Sequence, residues 1–205
     1  MADRRAARAA SKPSWLKDRP YLSAALVVAL VTLTWHRRWA EAGDGTPRRG
    51  LFDGLCHLGT ALAVALPVVP YVRDRPGFLR LALVSAIAID LDHVAAARSV
   101  RLERTMTMEH RPASHSVLAP LLVAALAEQW RPQQHLGLAA LLGLGSHLLR
   151  DLGTGGAPLV HPRRIVSVPN VVVVALLGAL SLSSRTATRL ALGSQLRHSF
   201  NRGTA

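Results

Sequence analysis

Long uncharged runs alternate with short, charged, breaker-rich links along this chain, and that alternation predicts helices buried in lipid. The first run, residues 21–35, reads YLSAALVVALVTLTW and is bracketed by Tyr21 and Trp35. At about 1.5 Å per residue it is short for a hydrocarbon core of roughly 30 Å. A basic start, an apolar stretch and Ala40-Glu41-Ala42 also fit a signal peptide. Yet His36-Arg37-Arg38-Trp39 separates the stretch from that cleavage site, which favours an uncleaved helix. Further apolar segments follow at residues 51–72, 78–97, 116–127, 135–149 and 165–182. Breakers punctuate the links at Gly43 to Pro47, Asp74 to Gly77 and Gly155 to Pro158. The pattern predicts an all-α integral membrane bundle of five or six transmembrane helices over residues 21–182. A basic arm (1–20) precedes it. A basic polar tail (183–205) follows, in which Leu190, Leu192 and Leu196 suggest a weak amphipathic surface helix.

Composition agrees with this pattern. Half of the chain is hydrophobic, 18% is charged and 4% is aromatic, and mean hydropathy is +0.23. Such a balance argues against a disordered chain and against an ordinary soluble domain. The single cysteine, Cys56, excludes an internal disulfide and any paired-cysteine zinc site. A net charge of +13 could serve nucleic acid or an anionic membrane surface. The apolar blocks decide for membrane lipids, with no nucleic-acid partner. Lys and Arg divide too evenly between the two faces for the positive-inside rule to orient the bundle strongly; cytoplasmic termini are the expectation.

Ionisable side chains are rare in membrane helices because burying them is costly, and those present usually face a cavity. Here Asp and His cluster. Residues 51–72 hold Asp53 and His57, four apart, and residues 135–149 lead into His147 and Asp151, also four apart, so each pair shares one helix face. Asp90 and His93, three apart, share a face as well. Asp92 would point about 160° away from Asp90 on a regular helix, so both enter one site only if the helix unwinds or ends there. Pro112 disfavours helix at Arg111, which sets His110 in a loop. Ser114 is then a candidate cap for the following helix, with His115 in its first turn. Imidazole and carboxylate together suit Zn, Mn or Fe, with enough ligands for two ions. His36, His135 and His198 lie outside these clusters, and Cys56 reads as a small packed residue.

At these positions the chain resembles a family of membrane-bound, metal-dependent hydrolases that includes the LexA-regulated inner-membrane member of bacteria. The resemblance rests on Asp53-Gly54-Leu55-Cys56-His57, Ile89-Asp90-Leu91-Asp92-His93 and His110-Arg111-Pro112-Ala113-Ser114-His115-Ser116. It extends to His147-Leu148-Leu149-Arg150-Asp151 with Thr154, Gly155, Gly156 and Pro158. Order and spacing agree over residues 51–162. Ile89 stands where the family has Pro, Pro112 where it has Gly, and Ser114 where it has Thr; none removes a potential ligand. A similar His and Asp arrangement in zinc-dependent phospholipase C proteins implies phosphoester or lipid substrates.

The residues and the resemblance together imply hydrolysis of an ester or phosphoester, lipid-derived substrates included, by water activated on one or two divalent ions in the bacterial inner membrane. Zinc is the first choice of metal, with Mn or Fe compatible. His57, Asp90, His93, His147 and Asp151 are the expected ligands, and Asp53 and Asp92 are ligands or groups that orient a histidine. His110 and His115 complete a second site or donate a proton. Arg111 is expected to clamp an anionic group, with Ser114, Ser116 and Thr154 as supporting donors. The alternative reading is a transporter, in which the same groups form a path for metal ions or protons.

Overall fold

The computed structural model of the chain describes residues 14–106, 108, 111–130, 134–160 and 164–202. It is all-α apart from one minimal hairpin. Helix α1 spans Ser14–Glu41 and α2 spans Pro47–Ala65, followed by a 3-10 turn at Val69–Tyr71. Helix α3 is Arg75–Ala88, and the short α4 and α5 are Leu91–Ala97 and Leu102–Met106. A second 3-10 turn, Ala113–His115, leads to α6 at Leu118–Trp130 and α7 at Leu136–Thr154. Antiparallel β1 (Ala157–Pro158) and β2 (Ile165–Val166) precede α8, Asn170–Arg202.

Local chemistry accounts for the boundaries. Thr46 caps α2 by accepting from the Arg49 N–H at 3.2 Å, with Pro47 opening the helix. Asp74 does the same for α3 through the Gly77 N–H at 3.0 Å. The apolar run expected over 51–72 stops being α-helical at Ala65, because Pro67 lacks the N–H that would continue the ladder past Leu66. The run expected over 78–97 is also divided. Helix α3 ends at Ala88, Ile89 and Asp90 form a turn, and α4 restarts at Leu91.

Both ends differ from the sequence expectation. The arm is already helical from Ser14, and Asp18 within it is buried. Tyr71 donates to Asp18 at 2.5 Å and Arg185 at 2.6 Å, which ties α1 to the first 3-10 turn and to α8. The tail is no separate surface helix, since α8 runs unbroken to Arg202. Ser114 does not cap α6; it lies in the preceding 3-10 turn.

Helix α7 is the centre of the bundle and packs against α2, α3, α6 and α8, while α1 lies along α2. Small residues permit these crossings. A Cβ at Gly143 would meet the Ala82 carbonyl oxygen at 2.2 Å, and one at Gly137 would meet that of Ala124 at 2.3 Å. Such backbone-to-backbone approach is the usual device for packing helices in lipid. Phe78, Val68, Val69 and Leu142 fill the core between α2, α3 and α7. The outside is apolar too: Leu26, Leu30 and Leu33 on α1, Leu121, Leu122 and Leu126 on α6, and Val171, Val174 and Leu182 on α8 are all exposed. Among the described residues, one stretch, Asn170–Ser194, is both long and apolar enough to cross a membrane by length and composition.

The close α3–α7 crossing yields a test. Gly143→Ala is expected to cost about 1–3 kcal/mol through overpacking, read as a lower melting temperature in detergent. Gly178→Ala, with open space around its Cβ position, should be neutral. Equal melting temperatures for the two variants would refute the crossing.

Candidate metal centre

The break after α3 brings the two aspartates into one site. Asp90 and Asp92 flank the start of α4, and α7 carries His147 and Asp151 on the face opposite that turn. Nε2 of His147 lies 3.4 Å from Asp90 Oδ1 and 3.5 Å from Asp151 Oδ2. His115 joins from the second 3-10 turn, its Nε2 3.5 Å from the same Asp90 oxygen and 4.0 Å from the same Asp151 oxygen. Ligand atoms about 2.0–2.2 Å from a tetrahedral zinc stand about 3.3–3.6 Å apart. The His147–Asp90, His147–Asp151 and His115–Asp90 separations match that spacing, and Asp90, His115 and His147 lie close enough together to share one ion.

Proton positions agree with that spacing. The Nδ1–H of His147 points at the Ala86 carbonyl, 2.6 Å away, which leaves Nε2 as the lone-pair nitrogen. Nδ1 of His115 is held at 2.9 Å by Asp92 Oδ2, which also accepts from the Ser114 hydroxyl. Nε2 of both histidines is buried and without a hydrogen-bond partner. Buried imidazole nitrogens are rarely left so. An imidazole fixed at one nitrogen by a carbonyl or carboxylate and open at the other is the arrangement seen around protein-bound metals. The donor set fits a divalent ion.

Charge is shared between Asp92 and His115. Burial opposes the charged form of each, but their mutual pairing outweighs it. The Asp92 carboxyl is held below its ordinary range, and Asp90 and Asp92 push His115 up to about 9. An entering cation would replace the proton that His115 holds.

The remaining sequence candidates take different places. His57 on α2 stacks on His147, ring centroids 3.6 Å apart, with its Nε2 3.5 Å from Asp151 Oδ1 and 3.7 Å from Asp53 Oδ2. His93 meets His115 edge-on, and its Nδ1 is 3.0 Å from Asp92 Oδ1. Asp and His atoms close enough to share an ion comprise His57, His147 and Asp151; Asp90, His115 and His147; Asp92, His93 and His115; and Asp53, His57 and Asp90. Arg111 donates to Asp151 Oδ2 at 3.0 Å. Thr154 lines the cavity above, its hydroxyl returned to the Arg150 carbonyl. His110 lies outside the described residues. His36 stacks on Trp39, which lines the cavity beside Arg150, and His135 caps the start of α7. Cys56 is buried and reduced.

Sequence reasoning missed Arg150. Its Nη1 is 2.8 Å from both Asp53 Oδ1 and His57 Nε2, and the guanidinium lies 5.3 Å from the Trp39 ring. The available signal was an arginine within the apolar α7 segment, three residues after His147 and next to Asp151, where membrane helices rarely tolerate one. A cavity of about 490 Å³ opens over the cluster, lined by Asp53, Asp90, His93, Arg111 and Asp151 beside the apolar Leu91, Val94, Leu102 and Met106.

A helical bundle with an apolar exterior around a buried Asp and His cluster is the architecture of a helical membrane protein. The chain belongs to the YdjM inner membrane protein family, whose model it matches over residues 52–196, a stretch containing every residue of the cluster. No curated protein and no solved structure matches the chain.

Orientation of His115 by Asp92 has a measurable consequence. Asp92→Asn is expected to weaken zinc affinity about 10–100-fold in dialysis of the detergent-solubilised protein, and Ser114→Ala by less. Unchanged affinity in Asp92→Asn would mean that the carboxylate does not orient the imidazole.

Proposed function

We propose that this protein is a multi-pass inner-membrane hydrolase dependent on a divalent metal, zinc first, acting on a lipid-like ester or phosphoester. The observation that carries the reading is the pair of buried, partnerless Nε2 atoms of His115 and His147 facing Asp90 and Asp151 beneath an open cavity. Asp90, His115, His147 and Asp151 would hold the ion. A divalent cation there supplies Lewis acidity that makes water a competent nucleophile near neutral pH. Asp92 keeps His115 in the ligating tautomer, and the Ala86 carbonyl does so for His147. Arg111, anchored on Asp151 and half-buried in the cavity wall, offers its remaining N–H groups to an anionic group. His93 stands at the same wall, beside Asp92, to pass a proton to the leaving group. The mixed cavity lining suits an amphiphile with one charged end.

The bilayer arrangement belongs to the same proposal. Helices α1, α2, α3, α6, α7 and α8 form six spans, with α3 and α6 only about 20 Å long at 1.5 Å per residue. Non-helical backbone at membrane depth is tolerated where it lines a cavity, and the Asp90 turn does so. The protein should remain in the membrane pellet through carbonate and high salt, and reporters fused after Ala205 should be cytoplasmic. Release by salt alone would refute the spans.

Activity is tested on a panel of phospholipids and chromogenic phosphodiesters in detergent. Slow turnover is expected, abolished by a chelator, restored by zinc, and absent in folded Asp151→Ala. Arg111→Ala should lower kcat/KM for anionic substrates about 10–100-fold, the worth of charge-assisted hydrogen bonds, and leave neutral esters nearly unaffected. No turnover on the panel, together with zinc or manganese movement across liposomes that depends on Asp90 and His147, would replace the hydrolase by the transporter.

A further inference from the structure

The four clusters contain enough donors for two ions, but one group of donors is already taken by a cation from the chain itself. Asp53, His57 and Asp90 offer atoms close enough to share an ion. Arg150 stands among them, buried at 6% exposure, with Nη1 at 2.8 Å from Asp53 Oδ1 and at 2.8 Å from His57 Nε2. The lone pair by which His57 would ligate an ion therefore accepts an arginine N–H instead. Its proton then sits on Nδ1, which is buried and has no hydrogen-bond partner. A guanidinium stays charged at any accessible pH, so it cannot vacate the position by losing a proton. It cannot move far either, since its Cα lies on α7 beside Asp151 and its plane lies over Trp39 at 5.3 Å.

We propose that Arg150 is a built-in cation standing where a second metal would bind, so that the centre holds one ion on Asp90, His115, His147 and Asp151. The inference rests on the metal reading above and narrows it. Arg150 is then a positioning residue: it holds Asp53 and His57 in place, and His57 in turn stacks on the ligating His147 at 3.6 Å. Asp53 and His57 support the centre without ligating it.

The test is zinc counting on the tag-free full chain in detergent, by equilibrium dialysis and elemental analysis. Wild type is expected to hold one zinc per chain. Asp53→Ala and His57→Ala should keep that ion, whereas His115→Ala and His147→Ala should lose it. Arg150→Lys, which retains a cation, should also hold one. Arg150→Met leaves the half-buried Asp53 carboxylate without its partner, a costly state that a metal relieves, and should hold two. Adding His57→Ala to Arg150→Met should return the count to one. Two zinc ions in wild type, or one in folded Arg150→Met, would overturn the inference and leave the metal reading intact. No zinc in wild type would overturn both. If Arg150→Met does not fold, the wild-type background decides: loss of the single ion in His57→Ala or Asp53→Ala refutes the assignment.

Discussion

Burial of the Asp151 carboxylate in a small apolar bundle requires positive or hydrogen-bonding partners on every side, and the bundle is organised around meeting that need. Arg111 reaches it from the link before α6, His57 from α2, His115 from the second 3-10 turn, and His147 from one helical turn earlier on α7. An unpaired charge at that depth would cost several kcal/mol. Two of these partners have their second nitrogen assigned, His115 to Asp92 and His147 to the Ala86 carbonyl. What is left over is informative. Among the described residues, the buried atoms without partners include Nε2 of His115 and Nε2 of His147, which face the common centre, and an ion is the simplest group that would satisfy both together.

Two backbone features make this convergence possible. Small residues on α7 allow α3 and α6 to approach at backbone distance, so side chains as short as aspartate can meet across helices. The turn at Ile89 and Asp90 frees two carboxylates, two residues apart, from the opposite directions that a regular helix would impose. The 3-10 turn at Ala113–His115 has the same effect for Ser114 and His115, which both address Asp92. Irregular backbone is thus concentrated where donors gather, and the long helices α1 and α8 remain peripheral and regular.

The Arg150 position shows how one residue changes the chemistry of such a centre. A dinuclear site and a mononuclear site flanked by a guanidinium carry similar charge, but only the first can polarise two oxygens at once. In the second, as proposed here, the fixed cation would order Asp53 and His57 and leave ion exchange to one position. Arg111 and Arg150 therefore differ in kind, although each pairs with an aspartate of the cluster. Arg111 is open to the cavity, whereas Arg150 is enclosed.

Helical periodicity in the sequence was sufficient to pair Asp53 with His57 and His147 with Asp151, because residues four apart share a face whatever surrounds them. It also required a break between Asp90 and Asp92, since regular helix and a shared site are incompatible there. Apolar blocks likewise determined an all-α chain, though not where proline and caps would divide those blocks or how far α1 and α8 extend. The proposed role of His115 as a ligand rather than a proton donor depends on which nitrogen Asp92 holds, a contact 23 residues distant. Arg150 reaches Asp53 and His57 across 97 and 93 residues. Local spacing carries no information about such distances. They follow from how closely α7 can settle against its neighbours, and only the packed bundle decides that.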